Sequence, residues 1–249
     1  MKTFTYDKPA SLEAAVAALS ASDASKLLAG GMTLLPTMKQ RLAAPEGLID
    51  LSAIAALKGI SLDGDTIVIG AMTRHADVGT SALITDKIPG LARLAMRIGD
   101  QQVRHRGTIG GSIANNDPSA DYPAAMLALA ADIVTDRRTI AADDFFLGMF
   151  ETALEADEIV TAVRIQIPEL AAYAKFANPA SRYALAGVFV ARSGGVVRVA
   201  VTGAASSVFR PEDIENALTG HFHPDALERI SIDASVLNSD MHADQEYRA

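Results

Sequence analysis

Two short stretches hold the residue types that could do chemistry. Residues 108–121 run Thr-Ile-Gly-Gly-Ser-Ile-Ala-Asn-Asn-Asp-Pro-Ser-Ala-Asp. Gly110 and Gly111 lack Cβ atoms, which lets a backbone bend sharply or approach a ligand closely. A turn rich in free N–H groups forms a concave nest for anions. Thr108, Ser112, Asn115 and Asn116 add short polar arms, and Asp117 and Asp121 add two carboxylates. Taken alone, the segment reads equally as a phosphate-holding loop or as an ordinary glycine-rich turn with Asx caps.

The earlier stretch shifts that balance. Residues 26–29 have the character of a short strand, Gly30-Gly31-Met32-Thr33 follows, and residues 34–41 have that of a helix. A strand, a glycine pair and a helix start together turn free N–H groups and the positive end of the helix dipole toward a phosphate. Neither a Gly-Lys-Ser/Thr loop nor a Gly-x-Gly-x-x-Gly fingerprint is present at this point. Two glycine-pair loops on separate units suggest one long ligand clamped between them, and a dinucleotide would fit.

In this order and spacing the two stretches resemble the flavin-binding medium subunit of molybdenum hydroxylases. That family includes the carbon monoxide dehydrogenase medium subunit and the FAD domain of xanthine dehydrogenase. The likeness is carried by Ala29-Gly30-Gly31-Met32-Thr33-Leu34-Leu35-Pro36, by Arg104-His105-Arg106-Gly107-Thr108-Ile109-Gly110-Gly111 and by Asp117-Pro118-Ser119-Ala120-Asp121. Glu158-Ile159-Val160 and Lys175-Phe176 extend it over nearly the whole chain.

The resemblance implies FAD as cofactor, with the backbone of residues 29–33 and 108–112 on opposite sides of its pyrophosphate. The cofactor-binding set it implies is Ala29, Gly30, Gly31, Met32, Thr33, Leu34, Ile98, Thr108, Ile109, Gly110, Gly111, Ser112, Ala114, Asp117, Asp121, Val160 and Lys175. Ser112 departs from the asparagine the family often has, and its reach is shorter. Asp121 matches a nucleotide-contacting aspartate, and it also stands where an N-cap for the helix after Pro123 belongs. Ile98 is expected near the flavin or in helix packing, and Val160 at the cofactor through its backbone. Lys175 aligns with a lysine beside the isoalloxazine, where a cation favours electron-rich reduced flavin; the alternative is a solvated surface lysine.

The fold implied is α+β: a two-lobed FAD-binding domain of the vanillyl-alcohol-oxidase-like type and a small C-terminal α+β domain. The function implied is that of an electron-transfer flavoprotein subunit of an oxidoreductase. It would take electrons from a [2Fe–2S] small subunit, supplied in turn by a molybdopterin large subunit. It would deliver them to NAD⁺, a quinone or oxygen, with no catalytic side chain of its own. Two other readings stand beside it, a scaffold subunit without redox work and a free-standing flavin oxidase. The five histidines show no metal-ligand spacing. Arg104-His105-Arg106 reads as a gate beside the flavin or as surface partners for acids.

The elements that must position these residues follow from periodicity. Phe4 and Tyr6 alternate as in a strand, Ser11 stands at a helix N-cap, and Leu12, Ala15, Val16 and Leu19 keep helical spacing. Residues 47–51 suggest a third strand, closing a first lobe near residue 54. Ile60 and Leu62, then Ile67 and Ile69, alternate about Asp63-Gly64, a hairpin signal. Leu91, Leu94, Ala95 and Ile98 mark a helix capped by Gly99, and residues 124–131 mark a buried one with Pro123 in its first turn. Residues 132–135 and 159–167 read as strands, and Phe145 and Phe146 as core plugs. A composition change near residues 168–172 divides the chain into 1–168, with lobes 1–54 and 55–168, and 171–249. In the second part, residues 183–191 and 196–202 are β-like, residues 212–218 helical between Pro211 and Gly220, and residues 227–230 hint at another helix. The family usually continues past Tyr247-Arg248-Ala249 into one more helix, a departure that points to a truncated end or to a disordered tail beyond Ala249.

Composition bounds the rest. The 249 residues carry a net charge of −8, with acids and bases interspersed, which argues against nucleic acid as a partner. There is no cysteine, so the chain ligates no iron–sulfur cluster through thiolates, and this fits a cytoplasmic protein. There is no tryptophan to stack on a flavin. The first residues lack the apolar core of a signal peptide, and no apolar run reaches membrane-spanning length.

Overall fold

Short alternating runs at the start of the chain build a parallel sheet. The computed structural model describes residues 1–249. Strands β1 (Thr5–Asp7), β2 (Ser25–Leu28) and β3 (Gly47–Asp50) pair in the order β1-β3-β2, both pairs parallel. Helix α1 (Leu12–Ser20) begins where Ser11 Oγ accepts from the Ala14 N–H at 3.2 Å. Its Ala15 and Leu19 are buried against Ile49, Leu51, Ile54 and Leu57. Met72 and Ile159 join this small core from the middle of the chain. After β2 the chain turns through Gly31, at φ +73, into helix α2 (Leu34–Lys39). That helix stops short of residue 41, because Gln40 caps it and Arg41 swings to φ 63.

An antiparallel sheet forms the centre. Strands β4 (Ile60–Asp63) and β5 (Thr66–Gly70) make the expected hairpin, though Asp63 pairs with Thr66 and the two turn residues are Gly64 and Asp65, one position later. Helices α3 (His75–Thr80), α4 (Ala82–Lys87), α5 (Pro89–Met96), α6 (Gln101–Arg104), α7 (Ile109–Asn115) and α8 (Tyr122–Ala128) follow. Leu91, Leu94 and Ala95 of α5 are fully buried, but the helix ends before Ile98, and Gly99 turns the chain beyond it at φ +48. Strands β6 (Asp132–Thr135) and β7 (Thr139–Ala141), helix α9 (Ala142–Phe145), the small pair β8 (Phe146–Gly148) and β9 (Glu151–Thr152), and strand β10 (Val160–Gln166) complete this part. The sheet order is β4-β5-β10-β6-β7. Phe145 is fully buried, whereas Phe146 meets it edge-on at 5.1 Å and is only partly covered.

A third sheet is built from β11 (Leu170–Ala177), β12 (Ala184–Ser193) and β13 (Val196–Thr202), antiparallel throughout. Its Tyr173, Phe189, Ala191 and Ala200 lie in the same apolar core as Ile67, Leu91, Ile109 and Val163. Helix α10 (Glu212–Gly220) sets Leu218 on Val197 and Val199. The helix expected at residues 227–230 does not form: a 3₁₀ turn, Pro224–Leu227, ends there, a second follows at Ala234–Val236, and α11 (Gln245–Arg248) comes last. No helix is long and apolar enough to cross a membrane.

Candidate functional site

The early glycine pair sits where two loops meet. A Cβ on Gly30 would strike the carbonyl oxygen of Arg106 and come within 2.7 Å of Gly107 Cα. Only glycine lets the two loops meet there. The backbone N–H groups of Gly30, Gly31, Met32, Thr33 and Leu34 find no acceptor in the chain; the first bonded one is Leu35, to the Gly31 carbonyl at 3.2 Å. Thr33 leaves the start of α2 without a side-chain cap. Five neighbouring donors thus remain for an outside acceptor.

The mid-chain stretch is different from its sequence reading. It is not an open turn: residues 109–115 are helix α7, with both glycines in its first turn. Its N–H groups are already used. Ile109 donates to the Thr73 carbonyl at 3.1 Å, Gly110 to Ala71 at 2.9 Å and Ser112 to Thr108 at 3.0 Å. Gly111 donates to Thr108 Oγ1 at 3.2 Å. This side therefore offers no nest of free amides; it offers a close surface, the Thr108 hydroxyl and the unbonded Ser112 hydroxyl. The two glycines also differ. A Cβ on Gly110 would sit 2.5 Å from Ala71 Cβ, so that glycine serves the packing of α7 on the chain just past β5. A Cβ on Gly111 would enter the gap between Thr108 Oγ1, at 3.0 Å, and Ala29 Cβ, at 3.3 Å.

A cavity of about 930 Å³ opens between these two walls. Of the expected residues, Ala29, Gly30, Gly31, Met32, Thr33, Leu34, Ile98, Thr108, Gly110, Gly111, Ser112, Ala114, Asp117, Asp121 and Val160 line it. Ile109 and Lys175 do not. The Ile109 side chain is fully buried in the core, pulled there by the turn of α7. Ile98 both lines the cavity and packs on the core, so its two readings hold together.

Asp121 and Lys175 form a buried ion pair at 2.8 Å, with side chains 4% and 1% exposed. The surface alternative for Lys175 is thereby overturned. The Tyr173 hydroxyl donates to Asp121 Oδ1, Lys175 Nζ donates to Oδ2 at 3.0 Å and to the Arg97 carbonyl at 3.2 Å, and Arg97 returns a bond to the Lys175 carbonyl at 3.0 Å. Asp121 makes no cap bond to α8, which corrects that alternative too. Burial raises its carboxyl above the usual carboxylate range; the Lys175 ammonium and the Tyr173 hydroxyl pull the other way. The network ties the start of α8 to β11 and to the chain after α5 at one edge of the cavity.

Some lining residues had no sequence signal strong enough to name them. Ser181, Arg182 and Tyr183, between β11 and β12, close part of the cavity. Asn178 Oδ1 accepts from the N–H groups of Ala180 and Ser181, and Arg182 takes φ 64. The Asn-Pro pair at 178–179 is a turn signal, but nothing local places that turn at the cavity that residues 29–34 line. His75 also lines the cavity; burial, reinforced by Arg104, lowers its pKa to about 4, and its Nδ1 has no partner. The Arg104-His105-Arg106 cluster makes no surface ion pair with an acid. Arg104 instead donates to the carbonyls of Ile98 and Gly99 at 3.1 and 3.0 Å.

Residues 2–169 match the family described as the FAD binding domain in molybdopterin dehydrogenase. The chain is 40% identical to the carbon monoxide dehydrogenase medium chain of Hydrogenophaga pseudoflava, over 98% of this chain and 91% of that one. It is 39% identical to the nicotine 6-hydroxylase medium subunit of Paenarthrobacter nicotinovorans, with the same coverage. Among solved structures, carbon monoxide dehydrogenase from Hydrogenophaga pseudoflava lacking the Mo-pyranopterin moiety superposes with a TM-score of 0.91 at 39% identity, covering 99% of this chain and 92% of that one.

Proposed function

The chain belongs to the family of FAD-binding medium subunits of molybdopterin-dependent dehydrogenases, and from that premise we propose that residues 29–34 hold the diphosphate of FAD. The observation that carries this is the run of five unbonded N–H groups from Gly30 to Leu34, on the wall of a cavity large enough for a dinucleotide. Those donors suit a diphosphate, whose oxygens accept without donating.

The opposite wall contributes close approach at Gly111 and hydroxyls at Thr108 and Ser112. Ile98, Ala114 and Val160 supply apolar surface. Asp117 faces the cavity while its Oδ1 holds the Ser119 N–H at 2.9 Å. Asp121 takes a ribose or ring N–H contact only through the carboxylate edge that Tyr173 and Lys175 leave open. Lys175 acts on the flavin through Asp121, as a buried charge, rather than by touching it. Ile109 supports α7 from within the core.

Bound flavin supplies exchange of one or two electrons. In this proposal the chain is the electron-transfer subunit of an oxidoreductase complex. Electrons arrive from a [2Fe–2S] subunit, fed by a molybdopterin subunit, and leave to an external acceptor of the NAD⁺, quinone or oxygen class. Its residues bind and orient the flavin and shield it from water, and no side chain serves as acid or base. A cytoplasmic setting belongs to the same proposal. So does a division into residues 1–168 and 171–249, supported by the change from the five-stranded to the separate three-stranded sheet after Gln166.

The visible spectrum of the purified protein tests the cofactor: flavin absorption is expected, and a colourless protein that fails to take up FAD refutes it. Co-purification with iron- and molybdenum-containing subunits tests the complex. Isolation as a lone, active flavin oxidase refutes that part alone.

A further inference from the structure

Behind the early loop, across the seam where Gly30 meets Arg106 and Gly107, lies a second cavity of about 360 Å³. It shares Ala29, Gly30, Met72 and Thr108 with the flavin cavity, but Gly31, Met32, Thr33 and Leu34 line only the first, and Lys8, Lys58, Arg74 and Arg106 only the second. Its charged lining is lopsided. Lys8, Lys58, Arg74 and Arg106 face it, against the single carboxylate of Asp50. Asp50 is already engaged, accepting from the Tyr6 hydroxyl at 2.5 Å and the Ser52 N–H at 2.8 Å.

The fold, not the sequence, assembles these cations. Arg74 and Thr108 form an isolated antiparallel bridge, and the His75 N–H donates to the Gly107 carbonyl at 3.0 Å. Those bonds fix Arg74 beside Arg106. The Met72 N–H donates to the Leu57 carbonyl at 2.7 Å and brings Lys58 to the same mouth. Lys58 Nζ donates to the Ser52 carbonyl at 2.5 Å, a bond that leaves its charge uncompensated. Lys8, Arg74 and Arg106 make neither a side-chain hydrogen bond nor an ion pair in the chain, although twelve Lys or Arg ion-pair contacts occur elsewhere in it. On a protein of net charge −8, four cations converging on one concavity focus a local field of opposite sign. Two guanidinium groups suit oxygens borne on phosphorus in pairs, and the Ser52 and Thr108 hydroxyls stand nearby.

We propose that this cleft binds a small phosphate-bearing anion of diphosphate size, at a site separate from the flavin cavity. Its concavity and volume fit a small molecule better than the flat acidic surface of a protein partner. The site is defined by its own cations and does not depend on the flavin assignment.

The test is calorimetric titration of the flavin-loaded protein with inorganic diphosphate and with ADP at low ionic strength. Saturable binding is expected, weakened by added salt, and at least tenfold weaker in Arg74→Glu/Arg106→Glu with flavin absorbance unchanged. Both side chains are exposed and unpaired, so that variant is expected to fold; its thermal transition and flavin content check this. Replacement by lysine at both positions keeps the charge but not the paired donors, and is expected to bind more weakly than wild type and more tightly than the reversed variant. Tighter ADP binding that fails in the same variant supports the site and assigns it to a nucleotide; tighter diphosphate binding assigns it to the free anion. The proposal is overturned if the wild type shows no saturable binding, or if the reversed variant binds equally well. It is also overturned if diphosphate displaces the flavin, or if the variant loses only its association with partner subunits.

Discussion

Adding one methyl group at each of two adjacent glycines separates packing from ligand approach. Gly110→Ala drives its Cβ to 2.5 Å from Ala71 Cβ, 2.7 Å from the Ala71 carbonyl oxygen and 2.9 Å from its Cα. Backbone atoms cannot rotate away, so overpacking costs about 1–3 kcal/mol. It also strains the bond from the Gly110 N–H to the Ala71 carbonyl, for about 1 kcal/mol more. Gly111→Ala meets only the Thr108 hydroxyl and a methyl, at 3.0 and 3.3 Å. At both positions, alanine for glycine inside a helix returns up to about 1 kcal/mol. The two variants should therefore differ in stability by about 2–4 kcal/mol, or roughly 5–15 °C in melting temperature for a chain of this size. FAD affinity should rank them the other way among folded molecules. The Gly111 methyl narrows the gap between Thr108 and Ala29, and FAD should bind at least about tenfold more weakly, near 1.4 kcal/mol. Differential scanning fluorimetry of the flavin-free protein and quenching of flavin fluorescence on titration measure the two quantities. A Gly110→Ala protein as stable as wild type, or a Gly111→Ala protein with wild-type FAD affinity, would refute the division of labour between the glycines.

Lys175→Met strands the Asp121 carboxylate in an apolar setting and should cost about 3–5 kcal/mol of stability; Asp121→Asn in the same molecule should recover most of it. Additive losses in that double-mutant cycle would sink the coupling. His75, held near pKa 4 in the fold against 6.5 unfolded, binds its proton more readily when unfolded. Stability should therefore fall as pH drops from about 6.5 toward 4, by up to about 3 kcal/mol. His75→Leu should flatten that part of the curve, and an unchanged slope in urea titrations would contradict the burial argument.

What could be read in the sequence was local. The Ser11 cap, the Gly64 hairpin and the apolar faces of α1 and α5 depend on neighbours within a turn or two, so residue spacing exposes them. The glycine pairs marked both walls of the cavity for the same reason. Helix α7 was hidden because two successive glycines are poor helix formers, each by about 1 kcal/mol. Its start is held by carbonyls of Ala71 and Thr73, far back in the chain. Thr108, a good N-cap residue, was the one available sign. For Lys175 a place beside the flavin and a solvated surface both stood open, because its burial depends on Asp121, 54 positions away. The 181–183 turn was recognisable as a turn, but its place on the cavity comes from the pairing of β11 with β12.

The most direct measurement is amide hydrogen exchange, resolved by residue, with and without FAD. Holding the diphosphate on residues 30–34 predicts fast exchange at those five amides in the flavin-free protein and strong protection on binding. Ile109 to Ser112, bonded within the chain already, should be protected in both states. Unchanged exchange at residues 30–34, with new protection confined to another part of the molecule, would contradict the account.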